Sequence, residues 1–345
     1  MKRVLLICAS LFMLVSCGTK VESHYQMKGV VLAVEDLATV DWPRLAHENG
    51  INTIGTHINP GQVKAFIDSP EGQKFLEGCE KYGIAVEHQL HAMKELLPRE
   101  MFNEDPEMFR MNETGERTPD FNCCVHSEKA LEIIAKKAAE FAVALPATNH
   151  RYYYWLDDGA PTCQCEKCLQ YTASEQALII ENSMIGAIRQ VDPEAKLAHL
   201  SYFNTMDAPR KVKPAEGIFL EFAPFLRVWD KPLTDGEAHG PRTGEMTHAD
   251  NMQYLRDNLE VFPVEDAVIL EYWLDVSLFS GWKKPAVELP WNKEVFESDI
   301  DTYAKLGIRN VTTFAVYMDS AYFAAYPDPV YLKEYGEGLG SYRAE

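Results

Sequence analysis

Residues 152–168 read YYYWLDDGAPTCQCEKC. An aromatic run ends in two adjacent carboxylates, Asp157 and Asp158, followed by a glycine and then three cysteines. The run is solidly apolar rather than alternating, as expected of a parallel strand covered on both faces. The acids then fall where strand gives way to loop. Working outward, runs of the same kind occur at 29–34, 52–57, 85–90, 197–203, 218–223, 268–274 and 311–317, and 152–157 completes a set of eight.

Amphipathic segments lie between these runs. Ser127 stands as an N-cap before 128–145, where Ala130, Ile134, Ala138, Phe141 and Leu145 form one apolar stripe. Further helices are expected over 171–191, 246–262 and 292–306. Gly50, Gly83 and Gly307 each precede a strand, where a left-handed helix C-cap is wanted. Regular alternation of strand and helix predicts parallel βαβ units with right-handed crossovers. Eight such units predict an α/β chain folded as a single (β/α)8 TIM barrel over 28–345; an open, doubly wound sheet is the rival. The longest interruptions, 93–126, 226–245 and 275–291, all follow strands, which assigns them to the face where barrel active sites form. Trp229, Trp282 and Trp291 lie in or beside two of them, where an indole either stacks on a sugar ring or packs under the loop.

The N-terminus reads as an export signal. Lys2 and Arg3 precede an apolar run over 4–15, shorter than the roughly 20 residues that span a bilayer. Small residues leading into Cys17 resemble a bacterial lipobox, so 1–16 is read as signal, Cys17 as the lipidated residue and 17–27 as a tether. An ordinary signal peptide with a chance cysteine is the alternative. The expected location is the bacterial cell envelope, with membrane contact through the lipid alone. A net charge of −19 opposes binding to nucleic acid, whose phosphates demand basic patches.

Polar residues at strand C-termini are the natural catalytic candidates in a barrel. They include Glu35, the pair Asp157 and Asp158, Glu221 within the sixth run, and Glu271 and Asp275 in and after the seventh. Glu221 and Glu271 are bracketed by apolar residues, and an unpaired carboxylate there costs several kcal/mol. Alternation puts Glu271, Trp273 and Asp275 on one face, read here as the barrel mouth. The expectation is that Asp158, Glu221 and Glu271 gather around one opening; pairing with the barrel's own Arg, His or Tyr groups is the competing account. Glycoside hydrolysis needs a protonated carboxylic acid and a second carboxylate in another role, and environment splits their pKa values. Residues placed to bind sugar hydroxyls or rings are His57, His88, His91, Tyr202, Asn204, Trp273, Tyr317 and Asp319. The histidines show no metal-ligand spacing, and no cofactor is expected for catalysis.

The acid pair at the fourth strand resembles that of the substrate-assisted N-acetylhexosaminidases. The resemblance implies that Asp157 orients the substrate acetamide and Asp158 is the general acid; a plain turn at Asp158-Gly159 is the other reading. Behind the pair, Cys163, Cys165 and Cys168, with Cys123 or Cys124 from the preceding loop, are candidates for a structural zinc site or for disulfides. Cys79, on an amphipathic helix, reads as a small buried hydrophobe.

The whole segment resembles a bacterial family of unknown function, DUF4838. The resemblance rests on the strand ending before glycine with C-x-C-x-x-C behind it, on AKLAHLSYFNTMDAPRKVKP at 195–214, and on PEMFRMNETGERTPDFNCCVHSE at 106–128. It covers roughly residues 85–225 and implies a glycosidase-like barrel. Two functions follow as expectations: an exported glycoside hydrolase acting on a polysaccharide or glycoprotein glycan, or a surface lipoprotein that binds glycan without turnover.

Overall fold

Strand β1 (Met27–Ala33) pairs in parallel with β8 (Asn310–Phe314), in a register that sets Met27 opposite Asn310 and Val31 opposite Phe314. That one pairing closes the ring and excludes the open-sheet rival. The computed structural model describes residues 23–241 and 243–343; the expected signal segment and Cys17 lie outside them. Between β1 and β8 the strands follow in chain order: β2 (Thr53–His57), β3 (Ala85–His91), β4 (Arg151–Trp155), β5 (Lys196–Ser201), β6 (Ile218–Phe222) and β7 (Val268–Glu271). The sheet is a closed, all-parallel (β/α)8 barrel.

The expected helices appear as α1 (Glu128–Ala144), α2 (Ala173–Ile188), α3 (His248–Leu259) and α4 (Lys293–Lys305). Ser127 caps α1 by accepting from the Ala130 N–H at 3.3 Å, an arrangement whose loss costs about 1 kcal/mol. Thr172 and Glu175 form a full capping box at the start of α2. Gly50, Gly83 and Gly307 all take positive φ; at Gly83 the left-handed turn returns its N–H to the Glu80 carbonyl at 3.2 Å, ending the helix Pro70–Tyr82 two residues short of β3. Among the described residues no helix is long and apolar enough to cross a membrane.

Strand parity sorts side chains into two layers. Val30, Leu32, Ile54, Val86, Leu90, Ile269 and Val311 point outward and bury against the helices. Val31, Tyr153, Ala198, Phe219, Val268 and Leu270 point inward and fill the barrel. A fully buried Val, Leu or Phe contributes about 1.5–3 kcal/mol, so these layers supply most of the stabilisation. The last residues of the expected tether are part of this packing. Tyr25 is buried and its hydroxyl donates to the Ile300 carbonyl, while the His24 ring meets the Ile308 carbonyl at 2.7 Å.

Strands β5, β7 and β8 end two or three residues before the apolar runs in the sequence do. Past β5 and β8 the chain turns at the mouth: Phe203 and Tyr317 take φ of 48° and 74°, a region that non-glycine residues enter only at a cost of order 1–3 kcal/mol.

Candidate functional site

The C-terminal face of the barrel opens into a cleft of about 750 Å³, within the range of small-molecule sites. Its walls are inward-facing strand residues and rings from the loops: His57, His91, Trp155, Tyr202, Tyr272 and Phe314 inside, and Phe203, Phe225 and Trp282 toward the rim. Trp282 is 56% exposed, an uncommon state for an indole, and Ile58 and Phe203 beside the same cleft are exposed as well. Among the described residues, the non-glycine positions with positive φ are Asn122, His150, Phe203, Trp282 and Tyr317, and the last three all line this cleft.

Three aspartates reach the cleft: Asp36, Asp158 and Asp275. Asp36 follows β1 and is 1% exposed. Its Oδ2 accepts the Tyr317 N–H at 3.0 Å, while Oδ1 has no hydrogen-bond partner among the described residues. Burial lifts its pKa from 3.8 to about 7, against the lowering pull of the Tyr317 N–H and of Lys284. Asp158 is 65% exposed at the rim, with Tyr202 lining the cleft beside it and His91 Nε2 at 3.9 Å. Asp275 Oδ1 accepts the Ser277 hydroxyl at 2.6 Å and the Ser277 and Leu278 N–H groups at 3.1 and 3.3 Å, which fixes the loop after β7.

The two cleft histidines have assigned tautomers. His57 Nδ1 faces the Gln89 carbonyl at 2.7 Å, and a carbonyl can only accept, so Nδ1 carries the hydrogen. Burial, helped by neighbouring His91, pushes the His57 pKa down to about 3, which keeps the ring neutral and leaves Nε2 an acceptor. His91 Nδ1 likewise donates to the Leu156 carbonyl at 2.8 Å. Both rings meet the edge or face of Trp155, at 5.8 and 5.1 Å.

Of the residues expected from the sequence, the cleft brings together Glu35, Asp158, Asp275, His57, His91, Tyr202 and Tyr317. The others are elsewhere, each for an identifiable reason. Asp157 turns away from Asp158: its Oδ2 accepts from the Arg99 guanidinium and from the Asn122 N–H at 2.6 Å, tying the loop after β3 to the end of β4. Glu221 points into the barrel but sits behind Trp155, accepting its indole N–H at 2.7 Å. Full burial raises its pKa well above the usual carboxylate value, which favours its neutral form behind the cleft wall.

Glu271 and Trp273 do share a face, but it is the outward one. Leu270 and Tyr272 take the inward positions. Glu271 instead meets Arg227 at 2.9 Å and the Tyr303 hydroxyl at 2.5 Å; Arg227 also meets Asp299 at 2.8 Å, and Asp299 accepts the Trp273 indole N–H at 3.0 Å. This is a wholly buried ion cluster between barrel and helices. The expected convergence of Asp158, Glu221 and Glu271 on one opening therefore does not occur. His88 also faces outward, bonded to Thr56 at 2.8 Å. Asn204 donates to the Ala160 carbonyl at 3.1 Å, and Asp319 pairs with Lys284 and caps the Tyr322 N–H at 2.9 Å. Of the loop indoles, Trp282 lines the cleft. Trp229 packs on Tyr272 at 5.4 Å, and Trp291 on Phe296 at 5.2 Å.

Asp36, Lys284, Phe225 and Tyr272 are cleft residues that sequence reasoning missed. Asp36 had a signal: it belongs to an acid pair, Glu35-Asp36, just past a strand, the same pattern that drew attention to Asp157-Asp158. One tempting constellation is structural. Ser174, His199 and Glu181 reproduce the contacts of a hydrolase triad at 3.0 and 2.6 Å, but the serine and histidine are wholly enclosed between α2 and β5.

The cysteines behave as two groups. Cys124, Cys163, Cys165 and Cys168 bring their sulfurs within 4.8 Å of one another, whereas Cys123 stands outside this set. Cys79 is buried in the helical layer, as its amphipathic context implies.

Fold and site together define a closed (β/α)8 barrel with an aromatic, acid-bearing cleft. Residues 62–326 match the family described as a domain of unknown function, DUF4838, and the chain belongs to that family. Comparison with curated proteins gives no match. Among solved structures, the chain is similar to a Thermobifida fusca endoglucanase at 15% identity, covering 92% of this chain and 91% of that one, with a TM-score of 0.50. It is similar also to ZgEngAGH5_4, solved in complex with a cellotriose (12% identity, 93% and 98% covered, TM-score 0.51), and to a β-galactosidase of Marinomonas ef1 (12%, 84% and 54%, 0.50). At such identities the likeness is one of fold.

Proposed function

We propose that this protein is a glycoside hydrolase whose substrate, a polysaccharide or glycoprotein glycan, lies in the aromatic cleft at the barrel mouth. The observation that carries this reading is that a buried carboxyl, Asp36, and an exposed one, Asp158, line the same cavity walled by rings. Aromatic faces match the apolar faces of sugar rings, and the neutral His57 Nε2 offers an acceptor to a hydroxyl. Fold alone does not confer function, so the argument rests on these groups.

Asp36, with its pKa lifted to about 7, is protonated in about half the molecules at neutral pH and is assigned the general acid. Asp158, with Tyr202 and His91 around it, is assigned the second carboxylate. Asp157 is a positioning residue: pinned by Arg99 and Asn122, it is not given the acetamide-orienting role that the hexosaminidase resemblance implies. Export and lipid attachment at Cys17 belong to the same proposal, with palmitate labelling in the native host, lost in Cys17→Ala, as the check.

The test is hydrolysis of a panel of aryl glycosides that includes N-acetylhexosaminides and glucuronides. Turnover of at least one, with kcat reduced about 100-fold or more in Asp36→Asn and in Asp158→Asn, is expected. Full activity in both variants would remove the residue assignment. Saturable glycan binding with no turnover anywhere on the panel would leave the binding-lipoprotein reading in its place.

A further inference from the structure

We infer that Cys124, Cys163, Cys165 and Cys168 form a tetrathiolate zinc site that fastens the loop after β3 to the loop after β4. Zinc bonded to four sulfurs at about 2.3 Å places them at the corners of a tetrahedron with edges of about 3.8 Å. Cys124 Sγ lies 3.9 Å from Cys165 Sγ and 3.8 Å from Cys168 Sγ, and all four sulfurs fit within 4.8 Å. A disulfide instead needs two sulfurs at about 2.05 Å with one preferred dihedral. Four thiols gathered within 4.8 Å of one another suit a metal ion, and four protein ligands close the coordination sphere against a catalytic water.

The surroundings are built for thiolates. The Met111 N–H donates to Cys163 Sγ at 3.3 Å, and the Arg117 guanidinium stands 3.7 Å from the same sulfur. Zinc with four thiolates carries a net charge of −2, and backbone N–H donors with a nearby guanidinium are what such a buried anion requires. The loops carrying the ligands are also ordered independently of the sulfurs. Gln176 accepts the Cys163 N–H at 3.1 Å and donates to the Cys163 and Cys168 carbonyls at 3.2 Å. The Gln164 N–H reaches the Met111 carbonyl at 2.8 Å, and the Cys124 N–H reaches the Met108 carbonyl at 3.0 Å. The cage is preorganised by these bonds.

The geometry also chooses between two neighbouring cysteines that sequence spacing leaves equivalent. Cys124 supplies the fourth ligand, and Cys123, although buried beside it, does not. Cys123 follows Asn122, which holds Asp157 through both backbone and side chain. The metal thus secures the base of the clamp from which Asp158 projects toward the cleft. Zinc is the ion favoured by a tetrahedral all-sulfur set; iron is the competitor.

The experiment is elemental analysis of the full chain purified without metal-affinity steps, together with thiol counting and peptide mapping under non-reducing conditions. One zinc per chain is expected, released in step with titration of four thiols by a mercurial. Cys123→Ser keeps that stoichiometry, and Cys124→Ser and Cys165→Ser lose it. If the ligand variants do not fold, cobalt exchange into the wild-type protein decides, because tetrahedral cobalt thiolate absorbs strongly in the near ultraviolet and visible. A disulfide mapped within the four cysteines, iron in place of zinc, metal-free protein with all thiols reduced, or zinc lost in Cys123→Ser would each overturn the assignment. The readout is metal content, so the result stands apart from whether the cleft hydrolyses any glycoside.

Discussion

The backbone N–H of Tyr317 donates to Asp36 Oδ2 across the seam where β8 meets β1, at 3.0 Å, and so ties the last strand's loop to the first strand's acid. Tyr317 reaches that position only with φ at 74°. The strained turn and the buried carboxyl therefore depend on each other.

The pH dependence of Asp36 follows. Its folded pKa, about 7, lies above its ordinary 3.8, so between roughly pH 4 and 7 the native state keeps a proton that the unfolded chain has released. Stability then falls as pH rises through that window and flattens above it, with an upper bound on the order of 4 kcal/mol from this group. Other buried acids, Glu87 and Glu221 among them, slope the same way. The comparison with Asp36→Asn isolates one carboxyl: the variant's thermal midpoint should gain on the wild type from pH 4 to pH 8. Its kcat should fall about 10²–10⁴-fold, and the wild type should lose activity above about pH 7.

Adjacent aspartates should give opposite phenotypes. Asp157→Asn keeps the acceptor for the Asn122 N–H but removes the ionic partner of Arg99, both side chains being 15% exposed. A loss of about 2–3 kcal/mol in unfolding free energy, with kcat within a few-fold, is expected. Asp158→Asn, on an exposed side chain, should leave stability within about 0.5 kcal/mol and reduce kcat sharply. Chemical denaturation and steady-state kinetics on the same preparations separate the two.

What the sequence disclosed tracks how local the physics is. The apolar runs, Ser127 and the glycines before strands report on neighbours a few residues away, so eight strands and a closed barrel were legible. The phase of β7 was not. Alternation correctly groups Glu271 with Trp273, but which face turns inward depends on Tyr272 and Leu270 fitting the barrel and on Arg227 waiting outside, some 44 residues distant in sequence. Asp157 misled for a similar reason, because its partner Arg99 comes from the loop after another strand. The cysteine cluster was readable as a site, yet only the fold distinguishes Cys124 from Cys123.

Arg227 lies wholly buried between Glu271 and Asp299, 2.9 and 2.8 Å away. Burying such a cluster adds little net stability relative to an apolar one, but removing one member strands the rest. Arg227→Met should therefore cost about 3–5 kcal/mol. The triple change Arg227→Met, Glu271→Gln, Asp299→Asn should recover part of that loss by leaving no net buried charge. Urea midpoints across the series give the measurement, and a single variant as stable as the wild type would contradict the network's role.

Trp282 is held at the cleft rim with φ at 56° and more than half its surface in solvent. The ring stands tilted against Phe225, with centroids 6.5 Å apart, and keeps the larger part of its surface open at the rim. Under the proposed function, that open face is where a sugar ring stacks. Trp282→Ala should leave the thermal midpoint nearly unchanged, because the side chain buries little, and should weaken glycan binding by about 1–2 kcal/mol, or roughly 5- to 30-fold. Titration of indole fluorescence with oligosaccharide should show quenching in the wild type that is lost in the variant. If affinity is the same in both, the rim indole does not touch the sugar, and binding rests on the inner rings around Trp155 and Tyr272.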